Sequence, residues 1–171
     1  MEELVRQAQK GDGDAFTELM QSQMQNLYKT ARAMLKNDED AADAISDTIL
    51  ACWEKIGQVR EIRFFRTWMT KILINKCNDI LRRYKKDGTT EEISDNVYFS
   101  ERYENIEWLE TLKSLDEKYR LVMVLYYVDG LDTAEISEIL KIPGATVRTR
   151  LARGRNQISD IYRTEPERRA K

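Results

Sequence analysis

The sequence contains no histidine, only two cysteines and two prolines, and seven glycines in 171 residues. Without histidine or a cysteine cluster, a zinc site, a serine triad and imidazole acid–base chemistry have no residues to carry them. No glycine-rich phosphate loop is present either, and no cofactor is expected. Cys52 and Cys77 lie far apart within helical patterns and read as two buried or half-buried thiols. Prolines and glycines are few and no segment shows sustained period-two alternation, which predicts an all-α chain. The longest apolar run, Leu121 to Val128, is far too short to cross a bilayer. The opening Met-Glu-Glu has neither the basic nor the apolar part of a secretory signal, so a reducing cytoplasm is expected. The formal net charge is only −2, but it averages segments of opposite sign, and local patches set the field at a groove.

The most informative stretch runs from Asp132 to Ile158, DTAEISEILKIPGATVRTRLARGRNQI. Thr133, Ala134, Ile136, Ile139 and Leu140 fit a short helix with one apolar stripe. Lys141-Ile142-Pro143-Gly144 breaks it, because proline cannot continue a helix and glycine permits a tight turn. A second helix is expected from about Ala145, with Val147, Leu151, Gly154 and Ile158 facing the core. Ala134 and Gly154 supply the small side chains that close packing needs. This is a helix-turn-helix pattern, in which the second helix enters the DNA major groove. Between Lys141 and Gln157 there are five basic residues and no acidic one. At about 100° per residue, Thr149 and Asn156 lie opposite the core, Thr146 and Arg153 beside them, and Arg148 and Arg150 on the flanks. Arginine and threonine suit base edges and phosphates.

From the start of the chain, Glu2 to Gln9 reads as a short helix. Asp14 is a plausible N-cap for a second helix running to about Lys36, with Phe16, Leu19, Met20, Met24, Leu27, Tyr28, Ala31 and Leu35 apolar. Asn37-Asp38 opens a third helix to about Ile56. Its expected buried stripe is Ala42, Ile45, Ile49, Cys52 and Ile56. Its outer face is acidic, with Asp38, Glu39, Asp40, Asp43, Asp47 and Glu54, and is either a solvated face or a docking surface for a basic partner. Gly57 to Arg63 reads as a loop. A long helix follows from about Phe64 to Lys86, packed through Trp68, Met69, Ile72, Leu73, Cys77, Ile80, Leu81 and Tyr84. Its other face carries Arg66, Lys71, Asn75, Lys76, Asn78, Arg82 and Arg83. Between Glu54 and Asp87 ten basic residues outnumber four acidic ones, interleaved with Phe64, Phe65 and Trp68. That mixture suits single-stranded nucleic acid, where bases stack and the backbone is neutralised, while Phe65 and Trp68 taken singly are expected in the core.

Asp87 to Asn105 breaks periodicity and reads as an acidic, flexible linker. Helical pattern resumes at Ile106. Asp116 is expected to cap a helix from Glu117 to Val128, Asp132 or Thr133 the next, and the tail after Tyr162 to fray. The expectation is two small helical domains, 1–86 and 106–171, joined by the linker 87–105.

A basic aromatic helix in the first half and a helix-turn-helix in the second resemble a sigma factor of bacterial RNA polymerase of the extracytoplasmic-function type. The resemblance is carried by AQKGDGDAFTELM, NDEDAADAISDTILACW and FFRTWMTKILINKCNDILRR in the first half. In the second it is carried by LDEKYRLVMVL and VDGLDTAEISEILKIPGATVRTRLARGR. The chain departs from the usual pattern at Ala42 and Asp47, where Glu is common, at Asp116, where proline is common, and at Gly144-Ala145, which inverts the usual order. The resemblance implies that Asp43, Asp47 and Thr48 dock on core RNA polymerase. It implies that Arg60, Arg63, Phe64, Lys71, Asn75, Lys76 and Arg82 open and read the promoter minus-ten element, with an extruded base held by the loop. Thr146, Arg148, Thr149, Arg150 and Arg153 would read the minus-thirty-five element as duplex. The linker would thread toward the polymerase active-site and RNA-exit channels. An anti-sigma factor commonly restrains the family, and the free protein would be monomeric. A stand-alone helix-turn-helix regulator, which would bind as a dimer, is the rival reading. An adaptor without DNA contact and an enzyme fit the residues less well.

Overall fold

The computed structural model describes residues 1–88, 111 and 114–169. Most of the expected linker, and the expected return of helix at Ile106, lie outside the described residues. The chain divides into two compact units, Met1–Ser100 and Glu101–Lys171. Both are helical, and no strand occurs among the described residues.

The first unit contains α1 (Glu2–Gln9), α2 (Gly13–Met34), α3 (Asp38–Lys55) and α4 (Phe65–Asp87), with 3-10 turns over Ile56–Gln58 and Ile62–Phe64 between α3 and α4. The α4 core residues Phe65, Met69, Leu73, Cys77 and Ile80 recur every three or four positions, so one face of the helix is buried throughout. They meet Leu19 and Leu27 of α2 and Ile45 and Cys52 of α3. Each large apolar side chain buried here contributes roughly 1.5–3 kcal/mol. Trp68, Ile72, Leu81 and Tyr84 pack at the edge of this core, half-buried.

Three local expectations are corrected. Asp12, not Asp14, caps α2, accepting from the backbone N–H of Asp14 and Ala15, each at 3.0 Å. Gly11 takes φ +91° and turns the chain so that Ala15 and Phe16 enter the core already helical. On α3 the buried line is Ala41, Ala44, Ile45, Thr48, Ala51 and Cys52, and Ala42 is turned outward. The acidic run is also partly structural. Arg32, with its side chain 4% exposed, pairs with Asp38 at 2.9 Å and donates to the Leu35 carbonyl at 2.9 Å. The Tyr28 hydroxyl donates to Asp38, and burial together with that carboxylate pushes it up to about 12. The Tyr84 hydroxyl donates to Asp40. Cys52 and Cys77 are fully buried, and desolvation pushes both thiols up to about 12, so neither is a thiolate near neutral pH.

The second unit contains α5 (Glu117–Tyr127), α6 (Thr133–Leu140) and α7 (Gly144–Arg169). Asp132 caps α6 in a full capping box with Glu135. Val122, Val124, Leu125, Ile136, Val147 and Leu151 form the buried centre. Gly154 fills the close-packing role, since a Cβ there would sit 2.8 Å from Met123 Cγ. Ala134 does not, because it faces solvent. The left-handed residue of the α6–α7 turn is Lys141, at φ 54°, whereas Gly144 is already the first residue of α7. Lys141 is held there by its own N–H to Ser137 O and by the Ser137 hydroxyl donating to Ile142 O at 2.6 Å. Asp116 makes no side-chain cap. Its carboxylate instead accepts from the Gln157 amide, whose oxygen accepts the Asp116 N–H in return. Helix α7 continues to Arg169, past the expected fraying point at Tyr162.

Candidate nucleic-acid and polymerase interfaces

On α3, the same turns that bury Ile45 and Cys52 turn Asp43 and Asp47 to solvent. Leu50 and Glu54 continue their line at helical spacing, and Leu50 is 58% exposed, with Trp53 beside it tilted against Phe16 at 4.9 Å between ring centres. An exposed leucine between carboxylates makes this an amphipathic strip, which composition alone did not reveal. Asp38 and Asp40 are withdrawn from it by their tyrosine partners. Thr48 is corrected as a docking residue, because it is fully buried and its hydroxyl donates to Ala44 O at 2.6 Å. The strip approaches α4 where Lys76 Nζ lies 3.8 Å from Asp47. Two candidates for different partners are thus neighbours. A pair this exposed is worth at most about 1 kcal/mol.

Between Val59 and Phe65, both buried, the chain turns outward. Arg60, Arg63 and Phe64 are exposed, and the Arg63 guanidinium lies 4.6 Å from the centre of the Phe64 ring. Cation and aromatic face are presented together, a combination that suits an unpaired base and its phosphate. Along α4, Lys71, Asn75 and Arg82 lie on the solvent face opposite Leu73 and Cys77. Arg82 is bonded to Asp79 at 3.1 Å. Arg66, expected on the outer face, is half-buried, with its Nε enclosed and without a hydrogen-bond partner.

On α7, burial of Val147 and Leu151 turns Arg148, Thr149 and Arg153 outward, with Thr146 and Arg150 half-buried on the flanks. The Thr149 hydroxyl donates to Ala145 O at 2.9 Å, so it offers only lone pairs outward and suits a base amino group better than a phosphate. Two contacts escaped sequence reasoning because they join separate helices. Hydrogen bonding to Arg153 lowers the pKa of the Tyr119 phenol against the opposing effect of burial, and Arg155 donates to the Tyr127 hydroxyl at 3.2 Å.

Residues 19–87 match the Sigma-70 region 2 family, and residues 106–158 match Sigma-70, region 4. The chain is 31% identical over 172 residues to the ECF RNA polymerase sigma factor SigW of Bacillus subtilis, covering 90% of this chain and 92% of that one. It belongs to the ECF family of RNA polymerase sigma factors. The sigma-E factor of Salmonella typhimurium is 27% identical over 92% of this chain and 91% of its own. Among solved structures, CnrH bound to the cytosolic domain of CnrY is similar with a TM-score of 0.66. It is 25% identical, covering 95% of this chain and 97% of that one. The Bartonella quintana RpoE, solved with the anti-sigma factor NepR, shares the fold with a TM-score of 0.67 at 19% identity, covering 85% of this chain and 97% of that one. This sigma factor binds core RNA polymerase and promoter DNA and directs transcription initiation; its family is one of initiation factors rather than enzymes. Among the described residues, no helix is long and apolar enough to cross a membrane.

Proposed function

We propose that the two units divide the work of the sigma factor. The unit over 1–86 docks on core polymerase through the Asp43–Asp47 strip and reads the melted minus-ten element through Arg60, Arg63, Phe64, Lys71, Asn75, Lys76 and Arg82. The unit over 106–171 reads the minus-thirty-five duplex through Thr146, Arg148, Thr149, Arg150 and Arg153, and the stretch 87–105 tethers them. The observation that carries this reading is the segregation of charge and chemistry. A carboxylate strip lies on one helix, a cation–aromatic loop adjoins the next, and an arginine-bearing second helix belongs to a helix-turn-helix in the other unit. The site of action is the cytoplasm, and the free protein is a monomer. Two similar solved structures hold a partner domain or an anti-sigma factor, by their own descriptions, which supports restraint of this chain by a protein of that kind.

If the α3 strip is the docking surface, Asp47→Lys raises the Kd for core polymerase about tenfold, on the order of one lost desolvated charge contact. Stability changes little, since Asp47 is exposed. Titration of labelled protein with core polymerase checks this. Unchanged affinity would return the strip to an ordinary solvated face.

Run-off transcription from promoters altered in one element at a time tests the division. Arg153→Ala should lose base preference only in the upstream duplex element, by about 1–3 kcal/mol if it makes a bidentate base contact. Asn75→Ala should relax preference only in the melted element, where its amide offers a base edge both donor and acceptor. A downstream effect of Arg153→Ala, or uniform loss of activity in both variants, would show that these residues are misassigned.

A further inference from the structure

Gln9, the last residue of α1, reaches across the first unit to the end of α3. Its side-chain amide donates to Ile56 O at 3.1 Å and to Val59 O at 2.8 Å. A primary amide has two N–H bonds, and both are used here. The two acceptors stand three residues apart, at the start and just past the end of the 3-10 turn that follows α3, outside its α-helical bonding. Ile56 O also accepts the Val59 N–H at 3.1 Å, closing the 3-10 turn, so Gln9 clamps that turn from outside. Ile56 and Val59 bury their side chains, and α1 also packs against the second 3-10 turn, Ile62–Phe64. The exposed residues Arg60, Arg63 and Phe64 therefore project from a short span whose first end is pinned by Gln9 and whose last end is pinned by buried Phe65.

We infer that Gln9 is a positioning residue for this loop, fixing where Arg63 and Phe64 are held to grip a promoter base. The inference rests on the reading of the loop as part of the minus-ten site. A gripping loop gains selectivity from being held in place before the base arrives, since ordering it on binding would cost conformational entropy for right and wrong bases alike. Gln9 itself touches no nucleic acid in this account. It acts only through the two carbonyls, so its loss should be felt as weakened discrimination rather than as weakened attraction to DNA.

The experiment uses the full chain with core polymerase and forked promoter probes in which each base of the melted element is replaced in turn. Gln9→Met keeps the length of the side chain and removes both donors. Gln9→Glu keeps the shape and sets a carboxylate against the two carbonyl oxygens. Both variants should lower the ratio of affinities for the preferred and substituted bases about tenfold, the scale expected for two hydrogen bonds. Discrimination in the upstream duplex element and affinity for core polymerase should stay within about twofold, the size of an ordinary surface change. Phe64→Ala serves as the control for the loop. If Phe64→Ala relaxes discrimination and neither Gln9 variant does, the positioning role is wrong and the loop reading stands. If Phe64→Ala leaves discrimination intact, the loop reading fails and takes this inference with it. A uniform fall in binding to all probes, or unfolding of both Gln9 variants in a thermal melt, would make Gln9 a structural residue only and overturn the inference.

Discussion

Asp38→Ala should destabilise the first unit by about 3 kcal/mol, the lower end of the range for breaking a buried ion pair. Arg32 cannot relax to water, because its side chain is 4% exposed and tied to the Leu35 carbonyl. Removing Asp38 leaves that guanidinium enclosed without a counter-charge, and takes the acceptor from the Tyr28 hydroxyl as well. Asp38 itself is 31% exposed, so water partly replaces it, which sets the estimate at the lower end. Asp38→Asn keeps an acceptor for Tyr28 and should cost less, about 1–2 kcal/mol. Urea unfolding followed by tryptophan fluorescence measures both, since Trp53 and Trp68 lie in this unit. A loss under about 1 kcal/mol for Asp38→Ala would mean that the pair behaves as an exposed one.

Gly154→Val should destabilise the second unit by about 3 kcal/mol, the upper part of the range for overpacking. A Cβ at this position would lie 2.8 Å from Met123 Cγ, 2.9 Å from its Sδ and 3.5 Å from Tyr119 Cβ. Alanine is tolerable, because the thioether can swing aside and alanine gains nearly 1 kcal/mol over glycine within a helix. Valine adds two methyl groups to a gap that Met123 already fills, and must separate α5 from α7. For a domain of this size that corresponds to a fall in melting temperature of 10 °C or more, on the order of 4–8 °C per kcal/mol. Calorimetry should show the second unit alone melting earlier. Equal melting of Gly154→Val and Gly154→Ala would contradict the close approach of the two helices.

The periodic parts of this fold were legible. Met69 to Ile80 on α4 and Val147 to Gly154 on α7 announce their buried faces through spacing, and the cap of α6 narrows to Asp132 or Thr133, of which the structure uses Asp132. What spacing leaves undetermined is the angular centre of a stripe made of small residues. Ala42 and Ala134 face out although they fit the pattern, and Thr48 is buried although it adjoins an acidic face. Local competition is equally hard to read. Asp12 and Asp14 are equivalent as letters, and only the turn at Gly11 decides which one caps α2. A lysine in the left-handed region leaves no mark in a sequence, because the Ser137 bonds that hold it depend on the completed turn. In the candidate sites, the exposed positions of Arg153, Asn75 and Asp47 follow from periodicity. The contacts of Gln9, Tyr119 and Tyr127 do not, since each joins elements distant in the chain.

In the proposed division of work, two surfaces, one in each unit, read two promoter elements separately. A double-mutant cycle with Arg153→Ala and Asn75→Ala, scored by the affinity of the polymerase holoenzyme for one promoter carrying both elements, tests it most directly. Independent contacts give free-energy losses that add to within about 0.5 kcal/mol. A double variant no weaker than the worse single variant would contradict the account, because both residues would then serve one and the same contact.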